Sequence, residues 1–175
     1  MNFLGPATYE PLKEIDDAFF IQVGACDGVV ADNLRPFIKK EGWKGILIEP
    51  IPSLFSMLRE NYKGTSGLIF ENIAISEKSG KQKMYTLEKE FKSATTHLAG
   101  VSSFYKTDWF KDRCHEVEVD TLTFQDLLEK HSIKSFDVLQ IDTEGYDWHI
   151  IKQIDFKKYR PRFVLSEHFF DVPTA

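Results

Sequence analysis

The chain has 175 residues, enough for one domain with one sizeable core. An apolar fraction of 42% with 14% aromatic residues excludes a disordered chain. With 22 Lys and Arg against 27 Asp and Glu, the formal charge is −5, so no broad field draws the protein to phosphate backbones or anionic lipid, and neither nucleic acid nor a membrane is expected as its main partner.

The two cysteines, Cys26 and Cys114, cannot build a zinc cluster by themselves. They lie far apart in the chain, a disulfide between them is not expected, and two thiols suit a reducing compartment. Met1 to Asp17 carries Pro6, Pro11 and acidic residues rather than a basic start and an apolar run, and no stretch approaches the length of a membrane span. The expectation is a soluble, cytoplasmic protein forming a single domain over residues 1–175.

In chain order, short apolar runs alternate with helical patterns, the signature of a parallel sheet covered by helices. Ala18 to Val23 (AFFIQV) predicts a buried strand that runs into Gly24-Ala25-Cys26-Asp27-Gly28. Asn33 to Glu41 sets Leu34, Phe37 and Ile38 at helical spacing, with Pro36 in the first turn and Gly42 as the stop. Gly45 to Ile48 (GILI) is a second buried strand closed by Glu49-Pro50, and a helix follows from Pro52 to about Tyr62. Leu68 to Phe70 begins a third strand that reaches about Ile75.

Lys81 to Leu87 and Glu116 to Val119 alternate polar and apolar residues like half-exposed strands. Residues 89 to 113 are the least regular segment and are expected as a lid-like loop over the site. Thr123 is a plausible N-cap for a helix through Lys130. Phe136 to Ile141 (FDVLQI) predicts a central strand ending in Asp142-Thr143-Glu144-Gly145, followed by a helix from about Tyr146 to Ile154. Arg162 to Ser166 is the last strand and ends in Glu167-His168.

In open parallel sheets, ligands bind beyond the carboxyl ends of the strands, where the strand order switches. Three of the predicted strands end in acidic residues. The first runs into the small-residue turn from Gly24 to Gly28, where a ligand can touch backbone. The second ends in Glu49, whose carboxylate can take both ribose hydroxyls of an adenosine in its fork. The central strand delivers Asp142 and Glu144.

A dinucleotide cofactor would need G-x-G-x-x-G against a helix N-terminus. Here the turn reads G-A-C-D-G, and the charge of Asp27 would repel a pyrophosphate. The same charge suits S-adenosylmethionine, which carries an ammonium and a sulfonium.

From Phe20 to His168 the chain resembles the FkbM-type methyltransferases. The matching blocks are FIQVGACDG, Asp32-Asn33-Leu34, WKGILIEPIPSLF with LRENY, ENIAIS, GVSSF, VDTLTFQDLL, FDVLQIDTEGYDWHII and the closing FVLSEH. The resemblance implies an α/β fold, a Rossmann-like class I methyltransferase sheet that is mostly parallel. It also implies S-adenosyl-L-methionine as cofactor and O-methylation of a hydroxyl on a sugar, glycan or small metabolite. Class I sheets continue past the fifth strand with a further helix and two strands. Here only Phe169 to Ala175 follow, so the sheet is expected to lack the C-terminal β-hairpin.

On this reading Gly24, Ala25, Asp27, Gly28, Asn33, Glu49 and Asn72 are the candidate cofactor-binding residues, and Asp142, Glu144 and His168 the candidate catalytic ones. Several have a second reading. Asn33 is also a possible helix N-cap, Asn72 a simple turn residue, and Asp142 and Glu144 first-turn acids of the next helix. His168 is either a structural histidine or a base beside Glu167. His97, His115, His131 and His149 are given no role. Cys26 reads as a small packed residue, and Phe104, Tyr105, Trp109 and Phe110 as either an acceptor wall or a packed loop. No metal is assigned, since Asp142 and Glu144 lack a clear third ligand. Two rival functions are a nicotinamide-dependent oxidoreductase, which the missing glycine pattern disfavours, and a non-catalytic interaction domain on the same fold.

Overall fold

Apolar runs with no polar stripe need cover on both faces, and one parallel sheet provides that arrangement. The computed structural model describes residues 2–4, 9–30, 32–87, 101–106 and 112–166. Ten strands form among them. In chain order they are β1 (Asn2–Leu4), β2 (Phe19–Val23), β3 (Lys44–Ile48), β4 (Leu68–Glu71), β5 (Ala74–Ile75), β6 (Gly80–Thr86), β7 (Ser102–Ser103), β8 (His115–Leu122), β9 (Val138–Ile141) and β10 (Phe163–Ser166). The α-helices are α1 (Pro52–Asn61), α2 (Phe124–Lys130), α3 (Asp147–Ile151) and α4 (Phe156–Tyr159).

Six strands make one sheet in the order β1-β10-β9-β2-β3-β4, with every neighbouring pair parallel. Alternate side chains enter two separate cores. Ile21, Val23, Ile46, Ile48, Leu139 and Ile141 pack with Phe124, Leu127 and Leu128 of α2, Ile150 and Ile151 of α3 and Tyr159 of α4. Phe20, Leu47, Val138 and Leu165 pack on the other side with Leu12, Phe37, Ile38, Trp43 and Leu58 of α1. Helical elements therefore cover both faces, and each buried Leu, Ile or Phe side chain contributes roughly 1.5–3 kcal/mol of transfer free energy.

The predicted helix from Asn33 runs as a π-helical segment over Phe37–Glu41, closed by Gly42 in the left-handed conformation. Asp32, not Asn33, caps its approach, its Oδ1 accepting from Leu34 N–H (3.0 Å) and Arg35 N–H (3.2 Å). Asp32 also accepts from Tyr62 Oη at 2.6 Å, which fastens this segment to the end of α1. Thr123 caps α2 as its sequence position suggests, its hydroxyl oxygen accepting from Asp126 N–H at 3.0 Å.

The third strand differs from its expected course. Rather than continuing to Ile75 it stops at Glu71, and Ala74-Ile75 belongs to a second sheet of order β5-β8-β6-β7. Asn72 makes the corner, donating from Nδ2 to the carbonyls of Glu49 (2.8 Å) and Pro50 (3.0 Å). In the second sheet β6 and β8 pair antiparallel, with Met84 and Val119 turned to a small core and Lys81–Glu118 and Lys83–Glu116 ion pairs on the solvent side.

The edge expected to lack a hairpin is also different. β1 lies beside β10, pairing Asn2 with Phe163 and Leu4 with Leu165, so the start of the described chain supplies a sixth strand. A three-residue strand is too short for its period to be read in sequence. Residues 167–175 lie outside the described residues. Among the described residues no helix is long and apolar enough to cross a membrane.

Candidate functional site

The strand order reverses between β2 and β9, since β3 and β4 continue outward from β2 and β10 from β9. A cavity of about 250 Å³ opens at the carboxyl ends of these strands, where such a switch point places ligands.

The turn after β2 is held from both sides. The N–H groups of Gly24 (3.0 Å) and Ala25 (2.9 Å) both donate to the carbonyl of Ile48 at the end of β3. On the other side, a Cβ built on Gly24 would overlap the carbonyl oxygen of Asp142, and Gly24 has φ +82°. Only glycine fits between these two strand ends. Gly28, φ +71°, lets the same loop press on Leu58 and Tyr62. Gly24 and Ala25 line the cavity, and Gly28 lies behind it.

Glu49 is the buried acid of this cavity, with only 2% of its surface exposed. Its Oε2 accepts from Cys26 N–H at 3.0 Å and its Oε1 from Ile51 N–H at 2.8 Å. Burial pushes its carboxyl up to about 7, with the Asp27 charge adding to the shift and the two N–H groups opposing it. Each carboxylate oxygen has a second lone pair, so a carboxylate fixed by two backbone donors can still accept two more hydrogen bonds. Cys26, at φ +49°, also lines the cavity, and burial followed by the Glu49 charge pushes its thiol up to about 12. It is a neutral thiol at physiological pH. Cys26 and Cys114 are both unbridged.

The remaining candidates on this side sit outside the lining. Asp27 is buried, and its Oδ1 accepts from the N–H groups of Val29 and Val30, each at 2.9 Å, so it holds the turn. Asn33 is exposed, with its Nδ2 donating to Tyr9 Oη at 2.6 Å. Asn72 holds the corner described above. Its neighbour Ile73 lines the cavity together with Pro50, giving an apolar wall beside Glu49.

The acidic turn after β9 faces the same space. Asp142 and Glu144 both line the cavity with Thr143 between them. Asp142 N–H donates to the carbonyl of Val23 at 3.0 Å, continuing the β2–β9 ladder by one bond. Glu144 has φ +52° and is followed by Gly145 at φ +99°. For a non-glycine residue that left-handed conformation costs about 1–3 kcal/mol and persists only where its surroundings impose it. Here they do. Buried Asp147 accepts from Thr143 N–H at 3.0 Å, from the Thr143 hydroxyl, and from Ser166 Oγ at 2.8 Å, while Ser103 Oγ donates to the carbonyl of Glu144 at 2.9 Å. His168 lies outside the described residues. Among the described residues no group of three or more His, Cys, Asp or Glu could hold a metal ion.

Sequence reasoning passed over part of the lining. Gln22 and Gln140 stand side by side in the β2–β9 register and both line the cavity. Their signal was present, as the lone amides in otherwise apolar strands. Tyr146, given no role by the sequence, also lines the cavity beside Phe104, one of the residues expected as an acceptor wall or a packed loop, with their ring centroids 4.7 Å apart. Tyr146 stacks on His149 (4.6 Å), and His149 lies between Tyr105 Oη (3.0 Å) and Glu77 Oε1 (3.1 Å) at the rim. Trp109 and Phe110 lie outside the described residues.

The family model of the methyltransferase FkbM domain matches residues 22–174. No curated protein and no solved structure matches the chain.

Proposed function

The chain belongs to the FkbM methyltransferase family, and from that premise we propose that its cleft binds S-adenosylmethionine and serves O-methylation of a sugar, glycan or small metabolite hydroxyl. The six-stranded sheet is then a Rossmann-like class I methyltransferase sheet, with the cofactor across its switch point. The observation that carries the reading is Glu49, a buried carboxylate held by two backbone donors beside an apolar wall. Its remaining lone pairs suit the two hydroxyls of a ribose, and Pro50 and Ile73 suit a purine face.

When bound, the cofactor supplies an electrophilic methyl group on a sulfonium. The chain's residues do the rest. Glu49 fixes the ribose, and the Phe104–Tyr146 wall with Met84 keeps water from the reacting end. Asp142 or Glu144 would take the proton of the acceptor hydroxyl as its oxygen bonds the methyl carbon and the carbon–sulfur bond breaks to leave a neutral thioether, because a neutral hydroxyl is a poor nucleophile. The imposed geometry of the acidic turn prepays the orientation of that base. Two unbridged cysteines suit a cytoplasmic enzyme.

Calorimetric titration with S-adenosylmethionine, S-adenosylhomocysteine, NAD and NADP tests the cofactor. Saturable binding of the first two alone is expected, and selective binding of a dinucleotide overturns the reading. Radiolabelled methyl transfer onto a panel of glycans and small hydroxyl compounds then tests the reaction.

A further inference from the structure

Tyr146 follows the acidic turn and lines the cavity together with Asp142 and Glu144. Other rings hold its ring in place. The Phe104 centroid lies 4.7 Å away, Tyr105 lies at 5.8 Å, and His149 is stacked on Tyr146 at 4.6 Å with 13° between the planes. His149 is itself fixed through both nitrogens, Nδ1 against Glu77 Oε1 (3.1 Å) and Nε2 against Tyr105 Oη (3.0 Å). Lys152 Nζ donates to the same Glu77 oxygen at 3.3 Å. Between these neighbours the Tyr146 ring has little room to turn, so the place of its hydroxyl is set.

Packing accounts for the ring and not for the hydroxyl. Tyr146 is 7% exposed, and a phenylalanine would fill the same space. Among the described residues Tyr146 Oη has one polar contact, Ser76 Oγ at 3.5 Å, the outer limit of a hydrogen bond. Ser76 is already engaged, its Oγ accepting from Gln82 Nε2 at 2.8 Å and donating to Gln82 Oε1 at 3.1 Å. A buried hydroxyl held so loosely costs stability. In a cavity wall it is available to a molecule that enters the cavity. A donor placed on the reacting oxygen would draw off the lone pair that has to reach the methyl carbon. The Tyr146 hydroxyl is therefore useful at a second oxygen, one carried beside the reacting hydroxyl.

We infer that Tyr146 is a specificity-determining residue for the acceptor, its hydroxyl donating to an oxygen next to the hydroxyl that is methylated. This rests on the proposed O-methylation in this cleft. The acceptor class it selects carries adjacent oxygens, as a vicinal diol does, over a lone hydroxyl on the same skeleton. Asp142 or Glu144 takes the proton of one oxygen while Tyr146 holds the other, and two points of attachment orient the acceptor where one would let it rotate. A hydrogen bond built for a substrate oxygen also rejects the analogue that lacks it.

The test is radiolabelled methyl transfer from S-adenosylmethionine to matched pairs of acceptors: methyl glucosides with their deoxy counterparts, catechol with phenol, and vicinal cyclohexanediol with cyclohexanol. Wild-type protein should favour the member with adjacent oxygens in any pair that it methylates. Tyr146→Phe keeps the ring and should melt no lower than wild type. It should lower kcat/KM for that member about tenfold more than for its partner, the scale of one hydrogen bond. Calorimetric binding of S-adenosylhomocysteine confirms that the cleft of the variant is formed. Ser76→Ala removes the outer contact of the hydroxyl and should keep the discrimination. Its loss there, with Tyr146 intact, would place the effect in the Ser76–Gln82 pair and overturn the inference. If Tyr146→Phe slows both members of a pair alike, or neither, or if wild-type protein prefers the lone hydroxyl, the inference falls while O-methylation stands. Wild-type protein that methylates no compound of the set overturns the O-methylation reading, and the inference with it.

Discussion

Cys26 and Glu49 meet at the wall of the cleft, the backbone N–H of the first donating to Oε2 of the second at 3.0 Å. The bond joins the turn after β2 to the end of β3, and Cys26 takes a left-handed conformation to make it. The loop that covers the cavity and the acid inside it are therefore set together.

The Glu49 carboxyl is pushed up to about 7 by burial. Bound ribose hydroxyls and a cationic methyl donor favour its ionised form, so binding should release a proton whenever the free protein holds one. The affinity for S-adenosylmethionine should then rise from pH 5.5 to about 7 and level off above, with proton release visible as a dependence of calorimetric heat on the buffer. The sign for stability is opposite. A carboxyl raised above its ordinary value of 4.5 disfavours the folded state as pH climbs from that value through 7. Glu49→Gln should flatten both profiles and weaken S-adenosylhomocysteine by about 1.5–3 kcal/mol at pH 8. Unchanged affinity would remove Glu49 from the ribose site.

Asp27 holds the N–H groups of Val29 and Val30 with one oxygen. Its replacement by Ala should cost about 1–2 kcal/mol of stability, as loss of a cap does. Acting through the turn, it should weaken adenosine and S-adenosylmethionine to similar extents. A loss confined to the charged ligand would show instead that Asp27 acts on the cation directly.

Gly24 and Gly42 both adopt left-handed φ, at +82° and +71°, but a Cβ on Gly42 would meet nothing within 4 Å. Gly42→Ala should therefore cost only the conformational penalty of about 1–2 kcal/mol. Gly24→Ala adds an overlap with the Asp142 carbonyl, a backbone atom that cannot swing aside. Urea melts should show a larger loss for Gly24→Ala, by at least about 1 kcal/mol, together with lost cofactor binding. Equal melts would mean that the β2–β9 junction relaxes freely.

Much of this frame was legible in the sequence because buried parallel strands announce themselves. FFIQV, GILI and VLQI are apolar apart from Gln22 and Gln140 and are followed by glycine or acid, so β2, β3, β9 and the cleft at their ends could be placed. Thr123 was legible for the same reason, a local rule acting locally. The readings that moved depend on distant partners. Asn33 and Asp32 are equivalent candidates until Tyr62 and Gln22 arrive from elsewhere to bind Asp32. LIFENIAI is one apolar run in sequence, and only the carbonyls of Glu49 and Pro50 reveal that Asn72 breaks it between two sheets. Gln22 and Gln140 are 118 residues apart, and nothing local marks them as neighbours.

The acidic turn supplies the prediction closest to chemistry. Asp142 continues the β2–β9 ladder by its N–H, and Glu144 is held in a left-handed conformation between Asp147 on one side and Ser103 on the other. If either carboxylate takes the acceptor proton, Asp142→Asn and Glu144→Gln should identify it by a loss of turnover of roughly 10²–10⁴, the scale of a general base. S-adenosylhomocysteine affinity should change far less, since the proposed nucleoside site rests on Glu49, Pro50 and Ile73 and not on the acidic turn. Ser103→Ala separates position from proton transfer. It frees the Glu144 carbonyl without touching a carboxylate, so it should lower turnover by a smaller factor and leave the pH dependence of the rate in place. The Gln variant of a true base should instead abolish the acidic limb of that profile. If an acceptor is turned over and both carboxylate variants keep wild-type rates, neither acid is the base. His168 is then the residue to replace.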